Sequence, residues 1–241
     1  GEHMNVAGKH VLLAGGTSAA GLAVTRALTG AGARVTVTGR STERLSPLVD
    51  AGAVGVVADA TSQLEMSELA AELTDVDAVI PLVGGWRGGG GLAGQTDDDL
   101  HALMPAFEAV RATSRAFDQT LRASDAGRFA IVSSTAVGRP LAGGANYAAV
   151  KAASEAWTRA VAQGFAKAAR ETETPLRAAS LIWRVKALDP EVLAAAEIVE
   201  RTVDRTLRVD FPYAAMNGIM KVVKEEQPTV VAQRFDNLCT L

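Results

Sequence analysis

Residues 9–38 read KHVLLAGGTSAAGLAVTRALTGAGARVTVT, and the order of residue types along them decides the fold. Residues 9–14 are an apolar run of strand length. Gly15-Gly16-Thr17-Ser18-Ala19-Ala20-Gly21 breaks that run. Leu22, Val24 and Leu28 then recur at helical spacing until Gly30-Ala31-Gly32, and a second, β-branched run occupies residues 34–38. Strand, glycine-rich turn, helix and strand in immediate succession open a doubly wound sheet. In such a turn the glycines let the backbone approach a pyrophosphate, which the N–H groups at the helix start attract. Many helices begin after glycines. The place of this turn between two strands is what gives it weight.

Working outward, the second strand ends Thr38-Gly39-Arg40-Ser41, with no acid before Glu43. A carboxylate at this point selects NAD through the ribose hydroxyls, whereas a cation suits the 2′-phosphate of NADP. Arginine grips phosphate through paired hydrogen bonds, so NADP(H) is expected over NAD(H). The alternative is a solvated arginine. A third strand, residues 54–58, runs into Asp59 and Ala60. Asp59 either accepts from the adenine amino group or caps the helix expected at residues 63–73. A fourth strand, residues 77–83, leads into Gly84-Gly85-Trp86-Arg87-Gly88-Gly89-Gly90-Gly91. Ligands bind at that edge of an open α/β sheet, so Trp86 either touches substrate or covers apolar surface.

The next expected elements are one helix over residues 97–122, bent at Pro105, a strand at 128–132, a helix over 146–170 and a strand at 176–183. Strands and helices alternate without linker or repeat. The expected architecture is a single Rossmann-like α/β domain over residues 5–241, a doubly wound parallel sheet with helices on both faces. Residues 1–4, GEHM, look like an expression-tag remnant. Residues 197–208 and 213–226 read as helices and 229–232 as an edge strand.

A second stretch carries chemistry. Residues 131–151 read IVSSTAVGRPLAGGANYAAVK, a strand breaking at Ser133-Ser134, a glycine-bearing loop, and a helix that carries Tyr147 and Lys151 one turn apart. A cation that close favours the tyrosinate, against a reference pKa of about 10. A tyrosine tuned in this way exchanges protons near neutral pH, and Ser134 is placed to hydrogen-bond the oxygen that receives the proton. Taken alone, Y-x-x-x-K is short enough to be an ordinary helix surface.

Composition removes other classes. The chain has 241 residues, a net charge of −3 and no basic block, so nucleic acid and acidic membrane have no electrostatic support as partners. Its single cysteine, Cys239, forbids an intrachain disulfide, and no signal peptide or membrane-length apolar run is visible. A cytoplasmic location is expected. His3, His10 and His101 are scattered, so no metal is expected. Ser134 lacks the G-x-S-x-G context of a serine hydrolase.

Over roughly residues 6–186 these motifs resemble the short-chain dehydrogenase/reductase family. The family's T-G-x-x-x-G-x-G lies over Ala14-Gly15-Gly16-Thr17-Ser18-Ala19-Ala20-Gly21, its serine over Ser134 and its Y-x-x-x-K over Tyr147 and Lys151. The resemblance implies a hydride transfer between nicotinamide and a small carbonyl or secondary alcohol. Tyr147 would be the general acid/base. Lys151 would lower its pKa and bind the nicotinamide ribose, and Ser134 would orient the substrate oxygen. Gly15, Thr17, Ser18, Ala19, Ala20, Gly21, Arg40, Asp59, Ala60, Gly84, Tyr147 and Lys151 would hold the cofactor. Trp86, Leu141 and Trp183 would line the substrate pocket. The resemblance also implies a homodimer or homotetramer built on residues 97–122 and 146–170.

The chain departs from that pattern in places. Ala19 replaces a motif glycine, Pro81-Leu82-Val83-Gly84 lies over N-N-A-G, and no asparagine occurs between Asn5 and Asn146. Trp183-Arg184-Val185-Lys186 lies over P-G-x-V, and residues 187–241 diverge altogether. A second reading is therefore a catalytically weakened nucleotide-binding or regulatory protein.

Overall fold

A computed structural model describes residues 7–185, with the backbone alone at Trp183 and Val185. The expectations for residues 187–241, and for the Trp183 side chain, lie outside the described residues.

The elements follow in the order β1 (His10–Ala14), α1 (Ala19–Gly30), β2 (Arg34–Gly39), α2 (Thr42–Asp50), β3 (Val54–Val57), α3 (Gln63–Glu72), β4 (Ala78–Pro81), α4 (Asp97–Ala116), α5 (Asp118–Ala123), β5 (Arg128–Ser134), α6 (Ala145–Glu171) and β6 (Ala179–Val185). Two single 3₁₀ turns, Thr135–Val137 and Ala142–Gly144, lie between β5 and α6. Every strand pairing is parallel, in the order β3-β2-β1-β4-β5-β6. The order reverses between β1 and β4, and a crevice opens there at the strands' carboxyl ends.

Alternation along the strands divides the core. Val11 and Leu13 of β1, with Val35 and Val37 of β2, pack with Val24 and Leu28 of α1 and Leu45 and Leu48 of α2. On the opposite face Leu12, Val79, Phe129, Ile131 and Ile182 meet Met66 of α3, Val110 of α4, Leu121 of α5 and Phe165 of α6. Each fully buried side chain of this size contributes about 2–3 kcal/mol through water release. Helices α1 to α4 are started by side-chain caps: Ser18, Ser41, Ser62 and Thr96 accept from the amides of Gly21, Arg44, Glu65 and Asp99.

Three details differ from the sequence expectations. The helix expected over 97–122 is two helices, and it breaks at Phe117 rather than Pro105. Phe117 ends α4 and begins α5, and the turn buries its ring completely. The strand expected to stop at Val132 continues to Ser134, because Ser133 and Ser134 stay paired with Arg184 and Val185 of β6. Asp59 does not cap α3, since Ser62 takes that position; Asp59 Oδ1 accepts instead from the Thr61 amide and hydroxyl, at 2.9 and 2.7 Å.

Candidate functional site

The glycine turn is fixed from below. The Gly15 amide donates to Thr38 Oγ1 of β2 at 2.8 Å. Gly15 has a φ of 73°, and a Cβ on it would strike Val83. Gly21 lies directly against the Gly16 carbonyl, where a Cβ has no room. These two positions let α1 start hard against the end of β1. Ser18 and Ala19 are exposed at that start, and the amides of Ala19 and Ala20 make no hydrogen bond among the described residues. Free helix-start amides of this kind are what an anionic phosphate group pairs with, so the turn suits a dinucleotide. The Ala19 methyl stands at the same opening.

Arg40 and Asp59 sit just past the ends of adjacent strands β2 and β3, both exposed, with Ala60 buried beside Asp59. Arg40 makes no ion pair among the described residues. Gly84 lies on the other side of the crevice. A Cβ there would stand 4.0 Å from Lys151 Nζ and 3.8 Å from the Ala106 methyl.

Ser134 at the end of β5 and Tyr147 and Lys151 in the first turns of α6 come together. Lys151 Nζ lies 5.6 Å from the Tyr147 ring centroid and donates to the Val132 carbonyl at 3.3 Å. The expectation that Lys151 lowers the Tyr147 pKa is not met. Burial pushes the phenol up, and the Ser134 hydroxyl pulls it down by a smaller amount. The ammonium lies over the ring and donates to the Val132 carbonyl. Lys151 itself is pulled down to about 8 by burial, against an opposing pull from Glu155.

Glu155 was not singled out by the sequence reading. It follows Lys151 by one helical turn and is fully buried. Its carboxylate accepts from Ser133 Oγ at 2.6 Å, from Arg184 Nε at 3.0 Å and Nη2 at 2.7 Å, and from Arg159 Nη2 at 3.1 Å. Burial alone would raise this carboxyl, but the Arg184 and Ser133 bonds, then the charge of Arg184 and the Arg159 bond, outweigh it and hold the pKa below the ordinary range. The available signal was an acid at the next step of the Tyr147, Lys151 helical stripe.

Gln95 is the other residue that the sequence reading missed. Its Nε2 lies 3.1, 3.0 and 3.0 Å from the carbonyls of Gly89, Gly91 and Gly143, and its Oε1 accepts from the Asn146 amide at 3.0 Å. The Gly89 amide also donates to Gly143, at 2.8 Å. The glycine-rich loop after β4 is thereby sewn to the segment that starts α6, which has no side-chain cap of its own at Gly144. Trp86 and Leu141, on these two segments, are 64% and 72% exposed, and the Trp86 ring folds close to Gly88. Neither is enclosed in a pocket by the described residues.

Among the described residues no group of three His, Cys, Asp or Glu side chains is arranged to hold a metal ion, and no helix is long and apolar enough to cross a membrane.

The short chain dehydrogenase family model matches residues 9–169. No curated protein matches the chain. Among solved structures, a short chain dehydrogenase from Burkholderia cenocepacia in complex with NADP is 24% identical with a TM-score of 0.67, the match covering 77% of this chain and 75% of that one. A metagenomic short-chain oxidoreductase in complex with NADP is 23% identical with a TM-score of 0.64, over 79% and 89% of the two chains. A short-chain type dehydrogenase/reductase from Mycobacterium ulcerans is 17% identical with a TM-score of 0.68, over 80% and 72%. At these identities the likeness is one of fold. With the family model spanning most of the sheet, the chain belongs to the short-chain dehydrogenase family of NAD(P)-dependent oxidoreductases.

Proposed function

We propose that the protein is an NADP(H)-dependent reductase of a small carbonyl compound. The observation that carries this reading is the convergence of Ser134, Tyr147 and Lys151 at the sheet's carboxyl edge, across the crevice from the glycine turn. The nicotinamide, when bound, supplies the hydride. Tyr147, kept as a phenol by burial, gives its proton to the substrate oxygen. Ser134 orients that oxygen from the end of β5. Lys151 holds the nicotinamide ribose and the inner side of Tyr147. The cofactor cradle comprises Gly15, Thr17, Ser18, Ala19, Ala20 and Gly21, with Asp59 and Ala60 at the adenine end and Gly84 near the ribose. Arg40 takes the 2′-phosphate, in keeping with its exposure, with its lack of an ion pair among the described residues, and with the NADP bound by two of the structural relatives. Trp86 and Leu141 line the substrate mouth, and α4 and α6 form a homodimer or homotetramer interface, on which α6 exposes Ala149, Ala152, Ala156 and Ala160.

The test is a titration with NADPH and NADH followed by tryptophan fluorescence, then a carbonyl screen with the wild type and Tyr147→Phe. Tight NADPH, weak NADH and a turnover that falls by roughly 100-fold or more in Tyr147→Phe are expected. Tight NADH would overturn the role of Arg40 alone. If neither cofactor binds, the protein is the weakened nucleotide-fold regulator, the reading that Ala19 at the turn and the missing asparagine favour.

A further inference from the structure

We infer that Glu155, forked by Arg184, is a positioning residue that fixes Ser134, Tyr147 and Lys151 relative to one another and stands as counter-charge to the Lys151 ammonium. This rests on the reading of Tyr147 and Lys151 given above. Three elements meet on one carboxylate. Ser133, next to Ser134, donates to it from β5, and Arg184 reaches it from β6 with two nitrogens. Glu155 itself belongs to α6, one turn beyond Lys151 and two beyond Tyr147. Ser133 and Arg184 are also direct partners in the β5–β6 ladder, so the side-chain cluster repeats the register that the backbone sets. A Cβ on Gly138, in the turn after Ser134, would stand 3.5 Å from Arg184 Nη1, which places the guanidinium under that turn as well.

A fully buried carboxylate is costly unless paired and hydrogen-bonded. Glu155 meets that condition through Arg184, Ser133 and the half-exposed Arg159. Among the described residues, the groups placed around Lys151 are these. Its own helix contributes Tyr147 and Glu155, with Arg159 behind Glu155. β5 contributes the Val132 carbonyl and Ser133 and Ser134, β6 contributes Arg184 through Glu155, and the loop after β4 contributes Gly84. Glu155 is thus the one acid in that set. Its pull on Lys151 opposes the effect of burial, and the cations on Glu155 moderate that pull.

The test is competitive acetylation of Lys151 with acetic anhydride as a function of pH, read by mass spectrometry on wild type, Glu155→Gln, Arg184→Met and Arg159→Met, each checked for a native near-UV spectrum. The expected signature is opposite in sign. Glu155→Gln lowers the Lys151 titration midpoint by roughly one pH unit, whereas Arg184→Met raises it. Identical midpoints, or shifts in the same direction, overturn the inference, since a merely structural role loosens the site alike in both. If the Glu155 or Arg184 variant fails to fold, Arg159→Met decides at a half-exposed position: a raised midpoint sustains the inference and an unchanged one overturns it. The labelling needs neither cofactor nor substrate. A wild type that fails to bind NADPH would therefore sink the proposed function and leave this result standing.

Discussion

The two edges of the sheet each carry a polar cluster built on carboxylates, and they are built differently. At the amino edge, Asp75 pairs with Arg34 at 2.8 Å and with His10 at 3.0 Å, while Asp77 accepts from the His10 amide at 2.9 Å and the Ser124 hydroxyl at 2.6 Å. Asp75 is 55% exposed, so water shares in every bond it makes. At the carboxyl edge, Glu155 is closed off from solvent and depends wholly on protein partners. The first cluster ties strand starts together at small cost and small gain. The second is less forgiving, because losing Arg184 leaves a buried charge with only Ser133 and the half-exposed Arg159 to answer it. Buried charge belongs where groups must be held within fractions of an ångström, and the exposed kind suffices where strands only need to begin in register.

That contrast is open to measurement. Arg184→Met should destabilise the fold by roughly 2–3 kcal/mol in urea unfolding, because the buried Glu155 carboxylate is left with only Ser133 and the half-exposed Arg159. A loss below about 1 kcal/mol would show that the two edges are energetically alike. Asp77→Ala should cost about 1–3 kcal/mol, since it strands the His10 amide and the Ser124 hydroxyl in a part-buried setting.

Lys151 gives a pH signature. Its folded pKa of about 8 lies below the ordinary 10.5, so between those values the unfolded chain binds more protons than the folded one. Stability therefore rises with pH through that window, by roughly 1 kcal/mol per unit, until Tyr147 begins to oppose it above about 10. Lys151→Met should flatten the rise in melts taken from pH 8 upward. The smallest effect is expected from Asp75→Asn, under about 1 kcal/mol. Asp75 is held down to about 2 by Arg34 and then His10, against an ordinary 3.8. Its contribution is complete above 3.8 and is lost as pH falls toward 2, so wild type and variant should converge in acid melts.

The fold was readable from residues 9–38 because strand, turn, helix and strand each have a local signature, and their order leaves few topologies. Tyr147 and Lys151 were readable for the same reason, being one helical turn apart. What escaped depends on contacts between distant residues. Glu155 and Arg184 are 29 positions apart, and nothing near Arg184 announces that it will meet an acid. The direction of the Tyr147 shift could not be read from spacing, since burial decides it against the smaller pull of Ser134. The break at Phe117 carries no glycine or proline; burial of the ring sets it. Asp59 lost the cap position to Ser62, three residues closer to the first helical turn.

Gln95 has a consequence for anyone altering what the protein accepts. Its one amide group binds both walls of the site's mouth, the loop bearing Trp86 and the segment bearing Leu141. Those walls are therefore not interchangeable modules. A loop transplanted from a relative without its own matching segment before α6 would arrive with an unanswered amide and unanswered carbonyls, and would settle in a different shape. If Trp86 and Leu141 line the substrate mouth as proposed, selectivity there is inherited as a pair of loops and has to be exchanged as a pair.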